Sequence, residues 1–299
     1  MTFVWFIILV ATASSLAEPM LKDKQWNHGS ANCLTDAEPA IEVYSHSPTS
    51  FILRQSKCLN YEAPFMYILV GEKLALLFDS GATKDASVFP LYQTVRSLIG
   101  EKDLLVVHSH GHQDHRSADI QFQGAVGVTL VGLQKTALIN ALSISQWPDG
   151  RGLIDLGGRE LVVIPSSGHQ EEAISLYDPQ TQWLLTGDTV YPGLIYVKNW
   201  NNYRDSIARL ARFAEEHDVS AVLGAHIEAT DRPGEYYAVG TVYQPAEAPL
   251  PMESDILAII NAELQQSPKA NQIELSRLKI IPMNLMQRKL SDFGRWLSQ

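Results

Sequence analysis

Short apolar runs alternate with apolar positions at helical spacing along most of the chain. Runs bounded by Gly, Pro or charged turns predict strands at residues 51–53, 66–70, 74–78, 104–107, 126–131, 161–164, 173–177, 183–185 and 221–223. Apolar positions three and four apart predict helices at residues 86–99, 134–142, 255–265 and from Asn201 or Asn202 to Ala214. Strands that alternate with helices are typical of a layered α/β fold, which is therefore the predicted fold class.

Both ends of the chain lack this alternation. Residues 18–50 are polar and rich in turn-forming residues, so we predict an N-terminal extension that wraps the surface of the domain. Pro245, Pro249 and Pro251 indicate a linker, which leads into the last predicted helix and a polar tail. The predicted organisation is one main domain at residues 51–240, followed by a C-terminal linker and helical tail at residues 241–299.

Residues 1–17 have the pattern of a secretory signal peptide. An apolar segment at residues 3–13 precedes Ser15-Leu16-Ala17, which is a small-x-small cleavage site. The apolar segment is shorter than the roughly 20 residues that span a bilayer. It is preceded by no Lys or Arg, and an uncleaved anchor is the alternative interpretation. We predict export to the periplasm or the medium, with no stable membrane anchor after cleavage.

The composition limits the partners that the protein can bind. With 299 residues, 45% of them hydrophobic, the chain is long enough to bury one large core. Its formal net charge of −10 disfavours nucleic acid, because binding to a long polyanion depends on clustered Lys and Arg side chains. We therefore predict a small-molecule substrate and no nucleic-acid partner, while the oligomeric state stays open.

The chain contains two cysteines, Cys33 and Cys58. In an oxidising compartment they would form one disulfide that joins the N-terminal extension to the first strands. Two unrelated free thiols are the alternative. Export favours the disulfide.

Residues 106–115 read V-V-H-S-H-G-H-Q-D-H and hold the densest cluster of metal-binding side chains. His110 and His112 are two positions apart in an extended segment, so their side chains project to the same side. Asp114 and His115 follow in the next turn and present a carboxylate and an imidazole to a second point. The spacing therefore predicts a metal site, and one turn of this kind can serve two ions.

The segment resembles the H-x-H-x-D-H signature of the metallo-β-lactamase-fold hydrolases. Four further motifs of that family follow in order at the ends of predicted strands: Asp79 in L-L-F-D-S-G-A, His169 in S-S-G-H-Q-E-E, Asp188 in L-L-T-G-D-T and His226 in L-G-A-H. The resemblance covers roughly residues 50–238 and points to the lactonase and glyoxalase II-like branch. It implies a four-layer αβ/βα sandwich and a catalytic domain at residues 51–240.

The resemblance also implies how the side chains are used. It assigns His110, His112 and His169 to a first metal ion, Asp114, His115 and His226 to a second, and Asp188 to both. The implied cofactor is two Zn²⁺ per chain, with iron or manganese as alternatives. Asp79 is expected to hold the metal loop by hydrogen bonds, although a plain turn residue is the alternative. His108 is not a ligand in the family pattern and is expected to make a hydrogen bond.

The implied activity is hydrolysis of a lactone, ester, thioester or amide by a hydroxide that two zinc ions activate. Asp114 could orient this hydroxide or transfer the proton to the leaving group. Tyr191 lies three positions after Asp188, where the acyl-homoserine-lactone lactonases have a tyrosine that donates a hydrogen bond to the substrate carbonyl oxygen. Tyr191 is therefore the predicted oxyanion donor, and a packed aromatic ring is the alternative.

Other activities of the same fold remain as alternatives. One is a mononuclear iron oxidoreductase that resembles the sulfur dioxygenases, another is β-lactamase-type activity, and the third is metal binding without catalysis. His112 favours zinc-type hydrolysis, because the related diiron flavoproteins tend to have a glutamate at this position. The loops and tails outside the motifs determine the substrate, which the sequence therefore leaves open.

Overall fold

A computed structural model describes residues 20–36, 38–289 and 291. The predicted signal peptide lies outside the described residues. Within the part of the chain that is described, each helix is too short or too polar to cross a bilayer.

The elements are numbered along the chain. The strands are β1 (Ile41–Ser47), β2 (Ser50–Gln55), β3 (Phe65–Val70), β4 (Leu74–Phe78), β5 (Asp103–Val107), β6 (Val128–Leu130), β7 (Gly152–Asp155), β8 (Glu160–Pro165), β9 (Ile174–Asp178), β10 (Trp183–Gly187), β11 (Leu194–Val197), β12 (Ala221–Gly224), β13 (Ile273–Glu274) and β14 (Lys279–Pro282). The α-helices are α1 (Leu91–Ile99), α2 (Lys135–Ala141), α3 (Trp200–Glu216) and α4 (Asp255–Gln266). Short 3-10 turns lie at Leu21–Asp23, Gln113–His115 and Ser117–Gln121.

Three sheets organise these strands. The first sheet has six strands in the order β1-β2-β3-β4-β5-β6, antiparallel up to β4 and parallel from β4 to β6. The second has five strands in the order β12-β10-β9-β8-β7, and its β10–β12 pair is parallel. A smaller sheet has the order β11-β14-β13, with β14 parallel to β11. The parallel pairs place the ends of β4 and β5, and those of β10 and β12, at the same sheet edges.

The core consists of three apolar layers that follow from strand alternation. Ile52 of β2 and Leu176 of β9 lie in the layer between the two large sheets. Leu53, the next residue of β2, faces the opposite side and packs with Val95 of α1. On the outer face of the second sheet, Leu184 packs with the apolar faces of α3 and α4. Helix, sheet, sheet and helix form four layers, which confirms the predicted αβ/βα sandwich.

The structure differs from the predicted elements mainly at half-buried strands. β1 lies in the segment that was predicted to be irregular, because it is an edge strand whose side chains are mostly half-buried or exposed. β14 and β13 lie in the predicted polar tail, because most of their side chains are also half-buried or exposed. The first helix begins at Leu91, not at residue 86, because Pro90 disfavours helical backbone in the residue before it. The domain boundaries themselves stay predictions.

The two cysteines form the predicted disulfide. Cys33 and Cys58 are joined across a sequence separation of 25, with their Cα atoms 5.3 Å apart. Cys58 lies in the loop between β2 and β3, and the same loop contains Glu62 beside the metal motifs. The bond therefore fixes the N-terminal segment to a loop that borders the candidate site.

Candidate metal centre

The predicted metal-binding side chains meet at one edge of the two large sheets. Each follows directly or closely after the end of a strand: Asp79 after β4, His110 to His115 after β5, His169 after β8, Asp188 after β10 and His226 after β12. The 3-10 turn at Gln113–His115 redirects the chain, so that Asp114 and His115 reach a second point. The centre therefore receives side chains from both sheets.

The first donor group contains three imidazoles and one carboxylate. Nδ1 of His112 is 3.0 Å from Nε2 of His110 and 3.0 Å from Nε2 of His169. Oδ2 of Asp188 lies 3.4 Å from Nε2 of His169 and 3.7 Å from Nε2 of His110. The four side chains thus direct one donor atom each to a common point.

The second donor group shares Asp188 with the first. Oδ2 of Asp114 is 3.1 Å from Nε2 of His115 and 3.3 Å from Nε2 of His226. Oδ1 of Asp188 lies 3.3 Å from each of the same two nitrogens. The two oxygens of Asp188 therefore face different donor groups.

These distances fit divalent metal ions. Donor atoms about 2.1 Å from a tetrahedral ion are about 3.4 Å from one another, which is close to the separations in both groups. Oδ1 of Asp188 is buried and has no hydrogen-bond partner among the described residues. A buried carboxylate oxygen without a partner is costly unless a cation or a donor satisfies it. Imidazole and carboxylate together form a donor set for zinc and similar metals.

The sequence matches a known protein family over the part of the chain that contains the centre. The sequence model described as the metallo-beta-lactamase superfamily matches residues 61–226, which is more than half of the chain and includes every residue of both donor groups. The protein belongs to the metallo-β-lactamase superfamily. Members of this superfamily are metallo-hydrolases, and the protein is an enzyme of that class. The lactonase and glyoxalase II-like branch within it stays a prediction.

Solved structures of the superfamily share the fold. A metallo-beta-lactamase from Pontibacter korlensis is 20% identical with a TM-score of 0.50, and the match covers 76% of this chain and 100% of that one. The structure titled TMB-1 is 14% identical with a TM-score of 0.52, and the match covers 78% of this chain and 100% of that one. At these identities the likeness concerns the fold alone. A comparison with curated proteins finds no significant match.

Three of the histidines in the centre are oriented by hydrogen bonds on the ring nitrogen that faces away from it. Nδ1 of His115 donates to Oδ2 of Asp79 at 2.9 Å, Nδ1 of His169 to the carbonyl of Tyr196 at 2.7 Å, and Nδ1 of His226 to the carbonyl of Glu62 at 2.9 Å. Such bonds leave Nε2 of each ring free to bind a metal. The sequence motifs do not reveal Tyr196 and Glu62, since both act through the backbone.

Asp79 binds His115, and it also holds the loop after β5 (residues 108–115) that carries the metal-binding motif. Its Oδ1 accepts from the backbone N–H of Ser109 at 2.7 Å, and its Oδ2 accepts from the Ser109 hydroxyl at 2.9 Å. Asp79 has a φ of 67°, a conformation that costs energy for a residue other than glycine. Gly187 meets the same loop from the other sheet, because a Cβ there would lie 2.4 Å from Cβ of Ser109. This close approach brings the following residue, Asp188, up to the histidines.

The electrostatics of the centre keep its carboxylates ionised. Burial raises the pKa of Asp114 and of Asp188, but neighbouring histidines, His115 foremost, hold both pKa values well below the ordinary range. Burial lowers the pKa of His110 well below its ordinary value, and burial together with His169 lowers the pKa of His112 to about 3. His110 and His112 are therefore neutral, the state that binds a divalent cation. Burial also lowers the pKa of His115 and of His226, but the neighbouring carboxylates raise both pKa values well above the ordinary value, so these two rings must lose a proton when a metal binds.

The two remaining predicted residues lie beside the centre. His108 is buried, and its Nε2 is 2.8 Å from Oδ1 of Asp119, so it makes a hydrogen bond outside both donor groups. The ring of Tyr191 contacts that of His226 with centroids 5.6 Å apart. Its buried hydroxyl donates to the carbonyl of Leu194 at 2.6 Å. The role of Tyr191 as an oxyanion donor stays a prediction, and it requires the hydroxyl to exchange this partner.

Proposed function

We propose that the protein is an exported dinuclear zinc hydrolase that cleaves a lactone, ester, thioester or amide bond in a small molecule. The proposal rests on Asp188, whose two oxygens face two separate groups of donors. A carboxylate in this position can bind two ions at once. Zinc in such a pair lowers the pKa of a water molecule and polarises a carbonyl group.

The proposed roles of the protein side chains follow from their positions. The three-histidine group and the mixed group would each hold one ion, and Asp188 would be a ligand in both groups. The side chain of Asp114 is 21% exposed, compared with 9% for Asp188, so it is the more accessible carboxylate of the centre. We assign to Asp114 a second role, in which it accepts a proton on the open side and transfers it to the leaving group.

Location and substrate size are supported by separate observations. A disulfide persists in oxidising compartments and is rare in the cytosol, which supports export. The net charge of −10 disfavours polyanionic substrates and supports a small molecule.

Metal analysis and a substrate screen test this function. The purified protein is expected to contain two zinc ions per chain and to hydrolyse at least one member of a panel of lactones, thioesters and β-lactams. A chelator should remove the activity and added zinc should restore it. One iron per chain with oxygen consumption would contradict the proposal in favour of an oxidoreductase, and bound zinc without hydrolysis would indicate metal binding alone.

Replacement of Tyr191 with phenylalanine tests its predicted role. If the hydroxyl donates to the developing oxyanion, kcat should fall by about 10- to 1000-fold with a smaller change in KM. The matched control is Tyr203→Phe, because the Tyr203 hydroxyl also donates to a buried carbonyl, that of Thr189, at 2.9 Å. Both variants should lose thermal stability, and only Tyr191→Phe should lose kcat. Equal kcat values in the two variants would limit Tyr191 to a structural role.

A further inference from the structure

The chain after β14 approaches the first donor group. β14 continues alongside β11, and the backbone N–H of Met283 donates to the carbonyl of Val197 at 2.8 Å. Asn284 and Gln287 then cap each other through two side-chain to backbone hydrogen bonds of 2.8 and 2.9 Å. The short helical segment that follows, residues 285–289, leads to Ser291. Its hydroxyl oxygen lies 3.2 Å from Nε2 of His112.

His112 differs from the other histidines of the first group in the ring atom that faces the centre. It presents Nδ1, which is 3.0 Å from Nε2 of both His110 and His169. A neutral imidazole that binds a metal through one nitrogen carries its hydrogen on the other. Nε2 of His112 must therefore donate a hydrogen bond when Nδ1 binds a metal.

Gln170 is placed to accept that hydrogen bond. Its side-chain amide nitrogen lies 2.6 Å from Nε2 of His112 and 2.8 Å from the Ser291 hydroxyl, while its Oε1 is buried without a hydrogen-bond partner among the described residues. Two N–H groups cannot bond to each other. Rotation of the amide group by 180°, which exchanges its oxygen and nitrogen, puts an acceptor 2.6 Å from Nε2 of His112. The same oxygen then accepts from Ser291.

We propose that Gln170 and Ser291 are positioning residues that hold His112 in its metal-binding tautomer, so that the C-terminal part of the chain contributes Ser291 to the metal centre. The inference rests on the proposed metal site. Gln170 is 1% exposed, and a side chain so enclosed has few orientations available. Outer hydrogen bonds of this kind fix the ring plane and raise the basicity of the ligand nitrogen. Ser291, which lies beyond the last strand, therefore contributes to metal affinity.

Zinc affinity of the full-length protein, measured by competition with a chromophoric chelator, tests the proposal. Gln170→Leu should weaken one zinc site by about 10- to 100-fold, whereas Gln170→Glu, which keeps an acceptor oxygen, should stay within about 3-fold of wild type. Ser291→Ala should weaken the same site by about 5-fold. The matched control is Met286→Ala, because Met286 is on the same segment and 73% exposed, and its affinity should equal that of wild type.

The outcomes separate this inference from the proposed function. Two tight zinc sites in wild type, with affinities within 2-fold in both Gln170→Leu and Ser291→Ala, would overturn the inference and leave the function standing. Failure of wild type to bind zinc would overturn both. If Gln170→Leu does not fold, ¹⁵N NMR of the zinc-loaded protein decides the matter. A slowly exchanging Nε2–H of His112 that exchanges faster in Ser291→Ala supports the proposal, and a ring without this hydrogen contradicts it.

Discussion

Replacement of Asp188 with alanine is expected to lower hydrolytic activity by about 1000-fold or more and to reduce the zinc content of the protein. Among the described residues, Asp188 is the side chain that belongs to both donor groups. Loss of several kcal/mol of charge stabilisation at a metal centre corresponds to a rate factor of about this size. Metal analysis after dialysis and kcat/KM on a substrate from the screen measure the two effects.

Two further variants help to interpret the effect of Asp188→Ala. Asp188→Asn retains one carbonyl oxygen, which can serve one donor group, so we expect one zinc ion per chain and a similar loss of activity. Asp218→Ala removes an exposed carboxylate of the same type, and its zinc content and activity should equal those of wild type. Full activity with normal zinc content in Asp188→Ala would show that the carboxylate does not bridge the metals.

The metal-binding motifs could be predicted from the sequence because the residues of each motif are close together in the chain. His110, His112, Asp114 and His115 lie within six consecutive positions, and the remote His169, Asp188 and His226 each follow an apolar run that forms a buried strand. Such runs are the strongest signal for a strand, and the residue at the end of a strand is held in place by the sheet. The order of the motifs thus predicted both the layers of the fold and the side chains that meet.

The contacts that orient these ligands could not be predicted from the sequence in the same way. Glu62 and Tyr196 act through their carbonyl oxygens, which every residue possesses, so only the folded structure shows which of them reach the histidines. Ser291 is 179 positions from His112, and the segment that brings it there follows a half-buried strand with little apolar pattern. Gln170 belongs to a quoted motif, yet its contact with His112 depends on the relative position of two loops.

The position of the centre between the sheets makes the packing of the sheets relevant to function. The first sheet supplies the loop after β5, and the second supplies the loops after β8, β10 and β12.

Arg159 and Asp178 join the two sheets at the opposite end. Arg159 donates to Oδ1 of Asp178 at 3.0 Å and to Oδ2 at 2.5 Å. It also donates to the carbonyls of Thr49 and Val70 at 2.7 and 3.2 Å, next to or within β2 and β3.

Replacement of Asp178 with alanine is expected to lower the free energy of unfolding by about 3 to 5 kcal/mol. Arg159 and Asp178 are 3% and 0% exposed, so the substitution leaves a buried guanidinium without its counter-charge. Urea unfolding at pH 7 measures the loss. Zinc content of the folded protein should stay at the wild-type value, because the ion pair lies at the other end of the sandwich from the metal centre.

The matched control is the exposed pair Arg151–Glu216, whose side chains are 44% and 51% exposed, so Arg151→Ala should lower the free energy of unfolding by under about 1 kcal/mol.

The pH dependence of the free energy of unfolding provides a second test of the Arg159–Asp178 pair. Burial would raise the pKa of Asp178, but hydrogen bonds from Arg159 and Thr181 lower it below its ordinary value. A carboxyl group of this kind stabilises the fold above its ordinary pKa of about 4, and the contribution disappears as the pH falls through the lower pKa of the folded state. Arg159→Met/Asp178→Leu should lack this acid-sensitive component, and an equal acid sensitivity in the double variant and wild type would contradict the assignment.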